Sequence, residues 1–405
     1  MIAKTNDQLK QAIIQVLLEK PMSLADLSQS LDNVVSLPTL RRALNELIDA
    51  DWVRRKGQSS SGGRPATLFA MNSYAHIIIG VHVEIPTVNM VVVRSDGEVI
   101  HQHHVTLPDS AIPDEAVRVI TDYVHDVEQM FAVSKIIGLA VASPGYLSTA
   151  TGEILFVGRA PGWENYPIVK RLKAELNMPI ILEGGTDCMI RVEVDHFDDA
   201  QDIVYLAVLE GVKVSMILNG SLYRGPFVNA GIIGRMKIAP QSKPNVFENY
   251  YDLEETSSVA GVTQTFQSRM KSVDLDDTLR KIQEEPDRNA RFHAILHAAE
   301  DGHPLCVEIV DRMFDDLSLA VSNMLLLLQP HILVIGGQLS MVSHQHKSRL
   351  EREIRSKLPT LLNNYLMIKF ARITGRYAAA IGATRWFFER YLSEDAAFAT
   401  DKASS

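Results

Sequence analysis

The feature that most constrains this chain is a change of pattern at Ile77. From there to about residue 390, short apolar runs alternate with amphipathic helical segments. The runs are IIIGVHV (77–83), NMVVVRS (89–95), KIIGLAVAS (135–143), PIILEGG (179–185), DIVYLAVLE (202–210), VSMILNG (214–220) and ILVIGG (332–337). Between them lie helical stretches such as PDEAVRVITDYVHDVEQMF (113–131), NYPIVKRLKAEL (165–176) and LCVEIVDRMFDDLSLAVSNMLLLL (305–328). Strands alternating with helices predict an α/β fold with mixed sheets. Two strand–turn–strand pairs, one opening at Ile77 and one at Val204, resemble one another. They predict a duplicated, two-lobed body with a cleft suited to a small molecule.

The preceding segment follows a different rule. Leu9, Ile13, Val16 and Leu17 recur at helical spacing between Asn6 and Glu19, and Pro21 ends that helix. Ser23 is placed to cap a second short helix, and Ser36 a third running from Leu37 to Trp52 with Pro38 in its first turn. An extended basic run from Trp52, a Ser/Gly-rich tip (58–65) and a returning strand from Thr67 complete a winged helix-turn-helix. Its third helix is expected to enter the major groove of DNA, with the hairpin alongside. Ser36, Thr39, Arg41, Arg42 and Asn45 on that helix, and Arg54, Lys56 and Arg64 on the hairpin, are the candidate DNA contacts. Arg and Asn are the side chains that read guanine and adenine edges through paired hydrogen bonds. Gly62, Gly63, Arg64 and Pro65 suit the narrow minor groove.

Charge follows the same division. The whole chain is −9, which disfavours a protein that simply coats nucleic acid. Residues 1–75 hold nine basic and seven acidic residues, so they are +2 and the remainder is −11. A basic module on an acidic body fits a nucleic-acid reader. A solvated helix face would give the same count. With 405 residues, two or three domains of about 150 residues are expected. The boundaries fall at 1–73 (winged helix), 74–199 (first lobe) and 200–390 (second lobe, its last helix returning to the first), with 391–405 a flexible tail. Two distant cysteines, Cys188 and Cys306, exclude a disulfide framework and read as buried small residues. The N-terminus lacks an apolar signal core. The most apolar stretch, Leu317 to Gly337, is interrupted by Asn323, Gln329, Pro330 and His331. No membrane span and a cytoplasmic location are therefore expected.

An ordered set of segments resembles the ROK family (repressors, open reading frames and sugar kinases), and within it the repressor branch similar to the xylose, N-acetylglucosamine and glucose repressors. These segments are Ser61 to Ala66, Ile137 to Gly145, Ala160 to Trp163 with Pro167, Leu218 to Gly225, Gly231 to Gly234, Val334 to Gly337 and Ala380 to Ala383. The resemblance implies a two-lobed, actin-like and ribonuclease-H-like sugar-kinase fold preceded by the winged helix. It further implies a regulator, expected to be a repressor, of carbohydrate-metabolism genes. The partners would be a pseudo-palindromic operator in double-stranded DNA, a second copy in a homodimer or tetramer, and a small-molecule effector such as a sugar derivative.

The departures from the family bear on chemistry. The first phosphate turn reads Gly80-Val-His82-Val-Glu84-Ile85-Pro86-Thr87, so a carboxylate stands where backbone N–H groups would cradle phosphate. The second reads Glu210-Gly211-Val212. The family's sugar-binding Asn and catalytic Asp fall on Gly184 and Gly185, which can neither orient a hydroxyl nor take a proton. Kinase activity and a nucleotide cofactor are therefore not expected. The family's sugar-contacting Glu falls on Ile232, its following His on Arg235, and the Asn before the tryptophan on Arg159. Its zinc cysteines fall on Asn245, Phe247 and Asp252, so no metal is expected and packing of Phe247, Tyr250 and Tyr251 is left to hold that loop. His101 and His103 share a strand face and read as surface residues. The charged cleft positions Arg159, Glu183, Asp187, Glu210 and Arg235 could hold an anionic effector, or could pair among themselves. The competing functional classes are a sugar kinase-like enzyme and a pseudo-enzyme scaffold acting through protein partners.

Overall fold

The computed structural model describes residues 6–32, 35–58, 66–108, 111–157, 162–197, 201–227, 229–238 and 250–393. The chain divides into two compact units. One comprises Met1–Cys188 with Ala379–Ser405, the other Met189–Ala378.

The first unit begins with α1 (Asn6–Glu19), β1 (Met22–Ser23), α2 (Leu24–Ser30), α3 (Leu37–Asp49), β2 (Val53–Gln58) and β3 (Thr67–Met71). The three strands form one sheet in the order β1-β3-β2. Ser23 and Asp26 make a reciprocal capping box at α2, and Ser36 caps α3 through the Thr39 N–H. The sequence placed the end of α3 at Trp52, but the helix stops at Asp49. Asp51 takes a left-handed conformation (φ 59°), and its N–H donates to Ile48 O at 3.1 Å. The Trp52 N–H donates to Leu47 O at 2.9 Å. These two bonds form a Schellman stop, which frees Trp52 to be buried as the chain enters β2.

The first lobe follows: β4 (His76–Glu84), β5 (Thr87–Arg94), β6 (Val99–Thr106), α4 (Pro113–Met130), β7 (Lys135–Ser143), β8 (Tyr146–Ser148), β9 (Glu153–Phe156), α5 (Ile168–Glu175), β10 (Ile180–Gly184) and α6 (Gly185–Val194). Its sheet runs β6-β5-β4-β7-β10, an antiparallel meander extended by two parallel strands. Strand alternation divides the faces. Ile77, Ile79, Val81, Val88, Met90, Leu139 and Val141 pack with α4 and α5 side chains such as Ile120, Val124 and Leu172. The opposite face receives the final helix, α14 (Ala378–Ser393). There Gly80 and Gly138 let it approach closely, since a Cβ at either would collide with Ala380 or Phe387.

The second unit holds β11 (Ile203–Val208), β12 (Val212–Leu218), β13 (Ser221–Tyr223), β14 (Lys237–Ile238), β15 (Tyr251–Asp252), α7 (Leu253–Ser257), α8 (Val259–Met270), α9 (Asp277–Glu284), α10 (Arg288–Glu300) and α11 (Pro304–Leu328). It ends with β16 (Ile332–Gly337), α12 (His344–Ser356), α13 (Thr360–Tyr365) and β17 (Met367–Phe370), before α14 (Ala378–Ser393). Its sheet, β13-β12-β11-β16-β17, repeats the first lobe's meander-plus-parallel-pair topology strand for strand. Its core joins Leu206, Val214, Leu333 and Ile335 to Phe266, Phe292 and Phe314 on the helices. Among the described residues no helix is long and apolar enough to cross a membrane.

Candidate nucleic-acid interface

The third helix divides cleanly along its length. Leu40, Ala43, Leu44 and Leu47 are buried against the other helices, leaving Leu37, Pro38, Thr39, Arg41, Arg42 and Asn45 exposed. A shallow groove of about 460 Å³ runs along this face, lined by Leu37, Pro38, Arg41, Arg42, Asn45, Glu46 and Asp49. Ser36 and Thr39 are joined through their hydroxyls at 2.9 Å, so both help to fix the helix start. Arg54 and Lys56 are exposed on β2, as is Arg55 between them. Arg64 and the glycines of the wing tip lie outside the described residues.

Arg42 is held differently from its neighbour. Its Nε donates to Glu46 Oε1 at 3.0 Å, and Glu46 Oε2 accepts from Asn6 Nδ2 at 2.8 Å and Lys10 Nζ at 2.9 Å on α1. Lys10 is buried. Its bond to the carboxyl, with those from Asn6 and Arg42, holds Glu46 down at a pKa of about 2.

The reader is joined to the first lobe by aromatic packing. Trp52 stacks on His76 with ring centroids 4.0 Å apart and planes 14° apart, and Phe388 and Tyr391 of α14 close around it at 6.0 and 6.2 Å. Gln11 of α1 donates to the Leu392 carbonyl. His76 is buried, and its Nδ1 has no hydrogen-bond partner. Burial, with Lys135 nearby, pushes its pKa down to about 4.

In the first lobe the phosphate-turn region is a tight hairpin in which Glu84 pairs with Thr87 across Ile85 and a cis Pro86. The turn offers few backbone donors, since proline has no N–H. Register aligns Glu183, Ala142, His82, Asn89 and His104 across the five strands. His82 was not singled out by the motifs, yet it stands beside Gly185: a Cβ there would lie 3.1 Å from His82 Nε2. Alternation was the available signal. Ile77, Ile79, Val81 and Val83 face the core, which places Gly80, His82 and Glu84 on the other face. Asn89 is fully buried with neither amide atom hydrogen-bonded. Glu183 is buried, and Asp187 lies in the first turn of α6 with its carbonyl accepting from Trp386 Nε1 at 3.1 Å. Arg159 lies outside the described residues.

In the second unit, Glu210 pairs with Arg288 at 2.6 Å. Arg235 pairs with Asp252 at 2.6 Å and lies 3.6 Å from Glu254. Lys237 and Arg235 together hold the Asp252 carboxyl below the usual carboxylate range. Tyr251 donates to Asp316 at 2.8 Å, while Tyr250 is exposed, so it does not supply the packing expected of it. Asn245 and Phe247 lie outside the described residues. His101 bonds Tyr123 at 2.8 Å and His103 stacks on the same ring. Cys188 and Cys306 are buried, and burial raises the Cys306 thiol to about 11. Among the described residues no group of three His, Cys, Asp or Glu side chains is placed to hold a metal ion.

The ROK family model matches residues 78–390, the two-lobed body. The chain belongs to the ROK family. Among similar ROK proteins is the xylose repressor of Caldicellulosiruptor bescii, 22% identical over 391 residues, covering 95% of this chain and 96% of the relative. A solved ROK family transcriptional regulator, described as a homolog of the E. coli MLC protein, superposes with a TM-score of 0.76 at 19% identity. It covers 96% of this chain and 98% of its own. A ROK family glucokinase from Streptomyces griseus, solved with glucose and AMPPNP, superposes with a TM-score of 0.64 at 16% identity, over 76% of this chain and 98% of its own. The kinase likeness thus spans the body, and the regulator likeness extends over nearly the whole chain. The fold is the ROK sugar-kinase fold with an N-terminal winged helix.

Proposed function

We propose that the protein is a cytoplasmic DNA-binding transcriptional repressor of carbohydrate-utilisation genes. It binds a pseudo-palindromic operator as a homodimer, or as a tetramer built from such dimers, and its body senses a sugar derivative without phosphorylating it. The observation that carries this reading is the exposed Arg41–Arg42–Asn45 face of α3, on a winged helix packed against a ROK body. Several full-length relatives are named xylose repressors, which supports the carbohydrate link. Arg64 would enter the minor groove beside the recognition helix. The absence of kinase activity follows from Gly185 at the family's catalytic Asp position, since phosphoryl transfer needs a base or positioning group there.

Effector binding would act by differential affinity for two arrangements of the reader, the only way a ligand shifts such an equilibrium. The test is affinity selection of genomic fragments by the purified protein. Enrichment of dyad-symmetric sites beside sugar-utilisation genes is expected, with release by one of their metabolites. Recovery of no specific fragment, or ATP-dependent phosphorylation of a hexose, would overturn the reading.

A further inference from the structure

Two adjacent arginines on α3 are exposed, but only one is oriented. Arg42 Nε points inward to Glu46 at 3.0 Å, while its side chain is 78% exposed. A guanidinium has five N–H donors in a fixed plane. Spending the inner one on Glu46 leaves the two terminal nitrogens as a parallel fork directed to solvent. Guanine presents two acceptors, O6 and N7, at the spacing such a fork bonds. The clamp is built from two helices. Glu46 is fixed in turn by Asn6 and by buried Lys10 on α1, so the carboxylate cannot swing away with the arginine. Because that carboxyl titrates near 2, the clamp remains charged throughout the neutral range. Among the described residues Arg41 makes no comparable bond, and it is exposed. A cation that no carboxylate orients suits a phosphate, which carries no sequence information.

We propose that Glu46, anchored by Lys10 and Asn6, is a positioning residue that presents Arg42 to one guanine in each operator half-site. The inference rests on the DNA-binding reading above. Preordering matters because a free arginine loses rotamer freedom when it forks a base, and the clamp has already removed part of that freedom.

The test is selection of bound sequences from a random duplex library by the full-length protein and its variants. Wild type is expected to enrich a guanine at one position of each half-site. Arg42→Lys keeps the charge but not the fork, and should lose that preference by about tenfold to a hundredfold. Glu46→Gln should relax the same position and no other. Lys10→Met with Glu46→Leu replaces the internal pair by apolar chains, which keeps the helices packed if Glu46→Gln loosens them, and should relax that position too. Arg41→Ala should weaken all sequences alike and reduce the salt slope by about one.

The proposal falls if both clamp variants retain the wild-type guanine preference. It falls equally if Arg42→Lys weakens all sites uniformly, or if Arg41→Ala is the variant that relaxes the guanine. Failure of wild type to enrich any sequence would instead overturn the DNA-binding reading, and this proposal with it.

Discussion

Acid should loosen the first unit before it titrates most carboxylates, because His76 is held neutral. The ring lies buried against Trp52, and burial lowers its pKa from 6.5 to about 4. The sign follows from proton counts. Between those two values the unfolded chain binds a proton that the folded protein refuses, so stability falls as pH falls through this window and is fully present above 6.5. At pH 5.5 the loss is about 1.4 kcal/mol, growing to about 3 kcal/mol near pH 4. Glu46, with its folded pKa of about 2, loses its own contribution only below about pH 4.5, so the two windows barely overlap. All three tryptophans, Trp52, Trp163 and Trp386, lie in the first unit, so urea unfolding followed by their emission reports on that unit. His76→Phe keeps a flat ring against Trp52 and removes the titration. Wild type should lose stability from pH 6.5 to 4 relative to this variant by the amounts above. Parallel pH profiles for the two proteins would refute the reasoning.

Three further outcomes follow from the same packing. Trp52→Ala should destabilise the first unit by about 3–5 kcal/mol, and limited proteolysis should then cut between the reader and the lobe; a wild-type digestion pattern would contradict this. Asn89→Leu should raise stability by about 1 kcal/mol, since it removes a buried amide with no hydrogen bond, and a loss seen by thermal unfolding would point to a partner for that amide. Gly185→Asp should leave hexose phosphorylation undetectable, because the phosphate turns remain altered and His82 stands beside the new carboxylate; measurable turnover would refute that assignment.

Much of the fold was legible because its periods are local. The helix spacing of Leu9, Ile13 and Leu17, the caps at Ser23 and Ser36, and the alternation around Ile77 each depend on a few neighbouring residues. The end of α3 was missed because its stop uses Asp51 rather than glycine in the left-handed conformation. Trp52 read as a continuation of the helix because its partners, His76, Phe388 and Tyr391, are remote in sequence. The candidate sites divide in the same way. Exposure of Arg41, Arg42 and Asn45 follows from helix period. Arg235 and Glu210 stood open between a ligand role and internal pairing because Asp252 and Arg288, which engage them, could not be paired with them from sequence. His82 was passed over for the opposite reason: its importance arises only where β4 meets the start of α6.

Charge counting weighs every charge of the winged helix alike, and the fold does not. Lys10 and Glu46 enter the tally as one charge of each sign, yet they face each other within the helix pair and add little to the field outside. Among the described residues of this domain, the exposed cations are Lys20 after α1, Arg41 and Arg42 on α3, and Arg54, Arg55 and Lys56 on β2. Asp49 and Asp51 are exposed at the C-terminal end of α3, where negative charge repels phosphate. In the proposed complex the N-terminal half of the helix is therefore the end that would approach DNA, which is also where the backbone N–H groups favour an anion. With three of the six exposed cations among the described residues on that strand, the hairpin would supply about half of the phosphate attraction and its salt dependence. On the proposal above, the helix then carries few charged side chains, and the single oriented one among them, Arg42, would distinguish a base.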